Sequence, residues 1–137
     1  MKYTANLLAA LALSVAATLA AAQEKVVYHF DSGYSQASNG LRNLNNHLEV
    51  DPKGKIIAVA HAAGVDFLME DAKDALGPFD ARVQDLMGKG VRFQVCEITL
   101  RARKLKKDQF IIGVEFVPSG VVQIAHLQKE GYAYLKP

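Results

Sequence analysis

Short apolar runs rich in β-formers alternate with segments of helical spacing, and this alternation restricts the fold of the chain more than any other feature. The run at 25–30 precedes Leu41, Leu44 and Leu48, which repeat at helical spacing, and a near-continuous apolar run follows at 55–60. Strands that alternate with helices form βαβ units. We therefore predict an α/β fold with a mostly parallel sheet and helices on both faces.

The second half of the chain continues the pattern. It predicts, in order, a helix from Gly77-Pro78 to Gly88 or Gly90, a strand at 91–95, a helix from Cys96 to about Leu105, a strand at 114–117, a helix capped by Ser119 and a last strand at 132–135. The stretch 65–76 is less regular. We interpret it as a short strand or loop followed by a mobile connection.

The first 22 residues predict a secretory signal peptide. Lys2 carries their only charge, the apolar run 7–22 is interrupted only by Ser14 and Thr18, and it ends in three alanines. Such a segment is removed after export, whereas an uncleaved anchor, the alternative, normally needs a longer apolar span. We predict a periplasmic or secreted protein with no stable membrane span after cleavage.

The remaining residues, 23–137, are sufficient for a single domain with its own core. Without Lys2 the chain has 15 Lys and Arg against 14 Asp and Glu. This nearly neutral balance argues against a nucleic acid partner. The glycine patterns of nucleotide-binding loops are missing and no Cys or His pair has metal-site spacing, so we expect no cofactor and no resident metal.

Cys96 is the only cysteine, and it stands where a predicted strand passes into a helix. The carboxyl ends of strands collect the reactive groups of open α/β sheets, and a helix N-terminus favours the thiolate. Arg92, Arg101 and Arg103 could add positive potential there, whereas Glu97 would oppose it unless it pairs with Arg101. A buried, inert thiol is the alternative.

His61 also follows a predicted strand. It could act as a general base, bind a thiolate or ligate a metal, and the alternative is a histidine bonded only to backbone. We expect His29 to pack or bond locally, and His47 and His126 to lie on helix surfaces. A metal site of Cys96, His61 and His29 would require the fold to bring them together.

Five of the seven residues at 101–107 are basic. The simpler interpretation is a solvated helix end, because cations favour the C-terminal end of the helix dipole. The alternative is a docking surface for an anionic ligand or an acidic partner.

Three stretches of the sequence together resemble the DsrE/DsrF-like family. They are Val91-Arg92-Phe93-Gln94-Val95-Cys96-Glu97-Ile98-Thr99-Leu100-Arg101-Ala102-Arg103, then His61 with Gly64-Val65-Asp66-Phe67-Leu68, and the chain end, with Val117-Pro118-Ser119-Gly120-Val121 and Gly131-Tyr132-Ala133-Tyr134-Leu135-Lys136-Pro137. The resemblance covers nearly all of the predicted mature chain.

This resemblance implies a three-layer α/β domain with a five-stranded, mainly parallel sheet that assembles as trimers or hexamers. In the better-known relatives a cysteine at the position of Cys96 carries persulfide sulfur between proteins. The leading hypothesis is thus a periplasmic persulfide carrier or sulfurtransferase-like relay using Cys96 and His61, with Arg101 and Arg103 binding the anion and a donor or acceptor protein as partner. The alternative is a non-enzymatic binding or assembly subunit for a small anion, a metal or a redox partner.

Overall fold

Five parallel strands form the central sheet of the computed structural model, which describes residues 23–137. Its strands are β1 (Lys25–Phe30), β2 (Lys55–Ala60), β5 (Arg92–Cys96), β6 (Glu115–Val117) and β7 (Ala133–Leu135). They lie in the order β6-β5-β2-β1-β7, and every neighbouring pair is parallel. The predicted five-stranded parallel sheet is confirmed. The predicted leader, 1–22, lies outside the described residues.

Four α-helices connect these strands: α1 (Tyr34–Val50), α2 (Phe79–Gly88), α3 (Glu97–Arg103) and α4 (Gly120–Lys129). Each occurs where helical spacing predicts it. Ser119 caps α4 as expected, because its hydroxyl accepts the backbone N–H of Val122. Within residues 23–137, no helix combines the length and hydrophobicity needed to cross a bilayer.

The stretch 65–76 differs from its predicted structure. A 3-10 helix covers Ala62–Leu68, and a two-stranded hairpin of β3 (Lys73–Asp74) and β4 (Gly77–Pro78) follows it. Of the two predicted alternatives, a short strand or a loop, the strand is absent because the backbone closes local turns, with the N–H of Gly64 donated to the carbonyl of His61. The connection predicted to be mobile is tied to α2 by an ion pair between Asp74 and Arg82.

Helices cover both faces of the sheet, as predicted. On one face the main core packs under α1, α2 and the 3-10 helix, with Phe67 at its centre against Phe30, Phe79 and Phe93. On the other face a smaller apolar cluster packs under α4; its buried members are Val27, Ile57, Val59, Ile124 and Leu127. The sheet and the helices on its two faces are the three layers of the fold, and one core lies on each side of the sheet.

Candidate functional site

The strand register brings three sequence-distant residues to one end of the sheet. Ala60 of β2 pairs with Val95 of β5, so the residues that follow them, His61 and Cys96, lie level with each other. Because side chains alternate along a strand, both lie on the face covered by α4. His29 of β1 shares that face. The register therefore places His61 and Cys96 at neighbouring strand ends on one face of the sheet, and their joint role in chemistry stays a prediction.

Gly120, the first residue of α4, packs against both side chains. A Cβ at this position would lie 3.1 Å from the Cβ of His61 and 3.2 Å from the Cβ of Cys96. Glycine thus allows the start of the helix to approach the two strand ends closely. The result is a small site enclosed by β2, β5 and the first turn of α4.

Cys96 is buried, with 4% of its surface exposed, and its thiol pKa is nevertheless lowered. Burial is the largest single influence and raises the pKa, but hydrogen bonding of the thiolate by the N–H groups of Gly120, Thr99 and Ile98 and by the Thr99 hydroxyl outweighs it. The Cys96 side chain makes no regular capping hydrogen bond.

The residue after His61 has an unusual backbone. Ala62 has a φ of 50°, in the left-handed region that residues other than glycine rarely adopt. Its N–H donates to Thr99 Oγ1 at 2.9 Å, and its carbonyl accepts from Arg103 Nη1 at 3.1 Å. The N–H and the carbonyl of Ala62 are thus both hydrogen-bonded to α3, and these bonds fix the backbone that follows His61.

Arg103 therefore bonds to the loop after His61. Its Nη1 also lies 2.6 Å from Asp66 Oδ1, an ion pair without hydrogen-bond alignment. Arg101 is exposed and borders a surface depression on α3. Anion binding by Arg101 and Arg103 stays a prediction.

Two other charged residues near Cys96 in sequence have partners elsewhere. Glu97 pairs with Lys107 at 2.5 Å, and not with Arg101 as the helical spacing suggested. Arg92 forms a two-pronged ion pair with Glu115 at the opposite end of β5 from Cys96. The thiolate is thus favoured by peptide N–H groups and a hydroxyl rather than by the arginine at 92.

His29, which we expected to pack or bond locally and considered only as a possible metal ligand with Cys96 and His61, hydrogen-bonds to His61. Its Nε2 lies 2.7 Å from Nε2 of His61, and its Nδ1 lies 2.7 Å from the hydroxyl of Tyr134 in β7. Two proton arrangements satisfy both contacts. Either Tyr134 donates to Nδ1 of His29 and Nε2–H of His29 donates to His61, or Nδ1–H of His29 donates to Tyr134 and Nε2–H of His61 donates to His29. Burial and the neighbouring His61 lower the pKa of His29, which favours its neutral form.

Asp31 completes this side of the site. It follows β1, and its carboxyl pKa is lowered to about 2, first by a hydrogen bond from Lys136 and also by one from the Ser32 hydroxyl, against the opposing effect of burial. Among residues 23–137, the potential metal-binding group around His61 consists of His29, Asp31 and His61. The trio with Cys96 considered from sequence is not formed, because Asp31 takes the place of the thiol.

The two remaining histidines differ in their exposure to solvent. His126 is exposed on α4, as predicted. His47 is wrongly predicted as a surface residue, since only 15% of its side chain is exposed and its Nδ1 lies 3.1 Å from the Tyr28 hydroxyl.

Comparisons with known proteins agree on the fold. The DsrE/DsrF-like family matches residues 2–137. The protein of unknown function MTH1491 from Methanobacterium thermoautotrophicum is 34% identical with a TM-score of 0.78, over 84% of this chain and 100% of that one. The ychN protein from E. coli is 17% identical with a TM-score of 0.73, over 84% and 100% of the two chains, and so supports the fold alone. No curated protein matches.

Proposed function

The chain belongs to the DsrE/DsrF-like family, which is generally linked to sulfur relay, and from this premise we propose that it is a periplasmic sulfur-handling protein. Cys96 accepts sulfane sulfur as a persulfide and passes it on by thiol exchange. The observation that carries the proposal is the position of Cys96 at the start of α3 with Gly120 of α4 packed against it, which brings backbone N–H groups and the Thr99 hydroxyl near the thiol and lowers its pKa.

The same surroundings suit the product of the first step. A persulfide keeps its inner sulfur in the position of the thiol, and its outer sulfur carries negative charge. The start of α4 at Gly120 presents unpaired N–H groups and the positive end of the helix dipole to that charge. His61, beside Cys96, orients the outer sulfur or gives it a proton.

The burial of Cys96 favours a small sulfur donor. Only 4% of the residue is exposed, so a protein disulfide would not reach the sulfur without displacing Gly120 or His61. We therefore take a polysulfide anion, a chain one atom wide, as the donor. The thiolate attacks a sulfane sulfur, the S–S bond breaks, and the shortened polysulfide leaves with the electron pair, so that no external oxidant or reductant is needed.

Assembly into a trimer or hexamer is part of the proposal. Ile98, Val121 and Val122 are exposed apolar residues that follow Cys96 and Gly120 closely in the chain. Contact between copies would remove this apolar surface from water and narrow the entrance to the site. Light scattering coupled to size-exclusion chromatography measures the mass of the assembly. A monomer at micromolar concentration would contradict the proposed trimer or hexamer.

Polysulfide treatment followed by mass spectrometry of the intact protein tests the proposal. Wild type is expected to gain about 32 Da for one added sulfur, and Cys96→Ser is expected to gain nothing. His61→Ala should form the adduct more slowly, while His126→Ala, altered on the exposed side of α4, should match wild type. Absence of the adduct in wild type, or its persistence in Cys96→Ser, would rule out the proposed carrier.

A further inference from the structure

Two imidazole rings and one carboxylate converge beside the cysteine, on the side of the site away from α3. The donor atoms of His29, Asp31 and His61 all lie within 4.8 Å of one another. The two rings face each other through Nε2, with centroids 4.8 Å apart and planes inclined by 26°. The two Nε2 atoms are therefore directed at the same small volume between the rings, where they share one proton.

Neighbouring residues hydrogen-bond to His29 and Asp31 and fix their orientation. Tyr134 hydrogen-bonds Nδ1 of His29 at 2.7 Å, which fixes the ring and leaves Nε2 directed at His61. The Asp31 carboxylate accepts hydrogen bonds from Ser32 and Gln36. Partners of this kind behind the ligands are a regular feature of protein metal sites, because they set ring orientation and tautomer.

The distances require only a small adjustment. Two nitrogen atoms bound to one tetrahedral Zn²⁺ at about 2.0–2.1 Å each lie roughly 3.3 Å apart. The observed separation of 2.7 Å is that of a hydrogen bond, so the rings must separate by about half an ångström when a metal replaces the shared proton. All three residues are only partly buried, so the ion can enter from solvent.

One contact opposes metal binding. The ammonium group of Lys136 pairs with Asp31 Oδ2 at 2.6 Å, and it would have to turn away or share the carboxylate with the metal. The Lys136 side chain is about half exposed, at 48%, so water can solvate the displaced ammonium. Asp31 Oδ1 is held by neutral groups and does not depend on this ion pair.

We propose that His29, His61 and Asp31 form a binding site for a divalent transition-metal ion of the Zn²⁺ class. Two imidazole nitrogens and one carboxylate oxygen are a ligand set that Zn²⁺ accepts, and they leave a fourth position open to water or to a small anion. The site goes beyond the proposed persulfide chemistry, since it does not require the Cys96 thiol.

Calorimetric titration with ZnCl₂ on the Cys96→Ser protein tests the site, because this background removes thiol binding. We expect one Zn²⁺ per chain, and affinity at least tenfold weaker in His29→Ala and in His61→Ala. Tyr134→Phe keeps all three ligands and loses only the partner of His29, so we expect about 10- to 100-fold weaker binding. Co²⁺ in place of Zn²⁺ should give the visible absorption of a bound ion in Cys96→Ser and none in His29→Ala.

His47→Ala is the matched control. His47 belongs to a second group of potential ligands, with Glu24 and Asp51, and its loss should leave the titration unchanged. Circular dichroism of each variant confirms that it folds. The site is rejected if Cys96→Ser binds no Zn²⁺, or if His29→Ala binds as tightly as its parent. Because the persulfide assay needs Cys96 and this titration lacks it, the two proposals fail separately.

Discussion

Gly64→Ala is expected to lower the free energy of unfolding by about 3 kcal/mol or more. A Cβ at this position would lie 2.2 Å from the carbonyl oxygen of Phe30 and 2.6 Å from the amide nitrogen of Asp31. These are backbone atoms at the end of β1 and cannot turn aside as a flexible side chain can. The 3-10 helix would have to move away from the sheet, which opens the main core around Phe67. Urea denaturation followed by circular dichroism measures the loss.

Gly88→Ala provides the matched control for this substitution. Gly88 is the last residue of α2, and nothing lies within 4 Å of an added Cβ. Alanine should therefore leave the stability unchanged or raise it by about 0.5–1 kcal/mol, since it restricts the unfolded chain and favours the helix. Equal stability of Gly64→Ala and Gly88→Ala would contradict the close packing of the 3-10 helix against the end of β1.

Thr99→Val is expected to raise the pKa of the Cys96 thiol toward its ordinary value. Thr99 is buried, and its hydroxyl is one of the groups that favour the thiolate. The same oxygen accepts the N–H of Ala62 at 2.9 Å. Valine has nearly the same shape but leaves that N–H without an acceptor, which should cost about 1–3 kcal/mol of stability. Iodoacetamide alkylation rates across pH report the thiol pKa, and urea denaturation reports the stability.

Thr99→Ser separates the two effects. Serine keeps the hydroxyl and loses a methyl group, so it should retain the low thiol pKa while losing about 1 kcal/mol of stability. Equal pKa values in wild type and Thr99→Val would show that the hydroxyl does not act on the sulfur.

The lowered pKa of Cys96 also predicts how stability depends on pH. The folded thiol loses its proton at a lower pH than the unfolded thiol, whose pKa is about 8.5. Between these two values the unfolded chain binds more protons, so stability rises with pH in that window. Below the folded pKa both states are protonated and the contribution is absent. Wild type should therefore gain stability relative to Cys96→Ser as the pH rises through this window, and the gain should be complete above about 8.5.

Local patterns were sufficient for most of the fold. Short runs rich in apolar β-formers predicted β1, β2 and β5, and leucines at helical spacing predicted α1. The stretch at 62–68 could not be predicted in this way, because a 3-10 helix has no apolar repeat long enough to recognise. Its conformation depends on the packing of Phe67 against other aromatic rings. Those rings come from three separate elements: Phe30 from β1, Phe79 from α2 and Phe93 from β5.

The candidate site likewise contains residues that the sequence could identify and residues that it could not. Cys96 and His61 could be selected because each ends a predicted strand and carries a reactive group. The sequence named His29 only as a possible ligand and did not identify Asp31, since spacing along a strand shows which face a residue occupies but not which side chains it meets there. Tyr134 bonds to His29 across 105 residues of sequence, and no short motif records a contact of that length.

The sequence by itself determined the order of strands and helices and placed the one thiol at a strand end, because both depend on spacing between near neighbours. Only the tertiary structure decided what surrounds that thiol. The parallel register sets His61 level with Cys96, Gly120 lets α4 close over them, and β7 brings Tyr134 to His29. Such contacts arise when separate elements pack together, and packing depends on the whole chain at once.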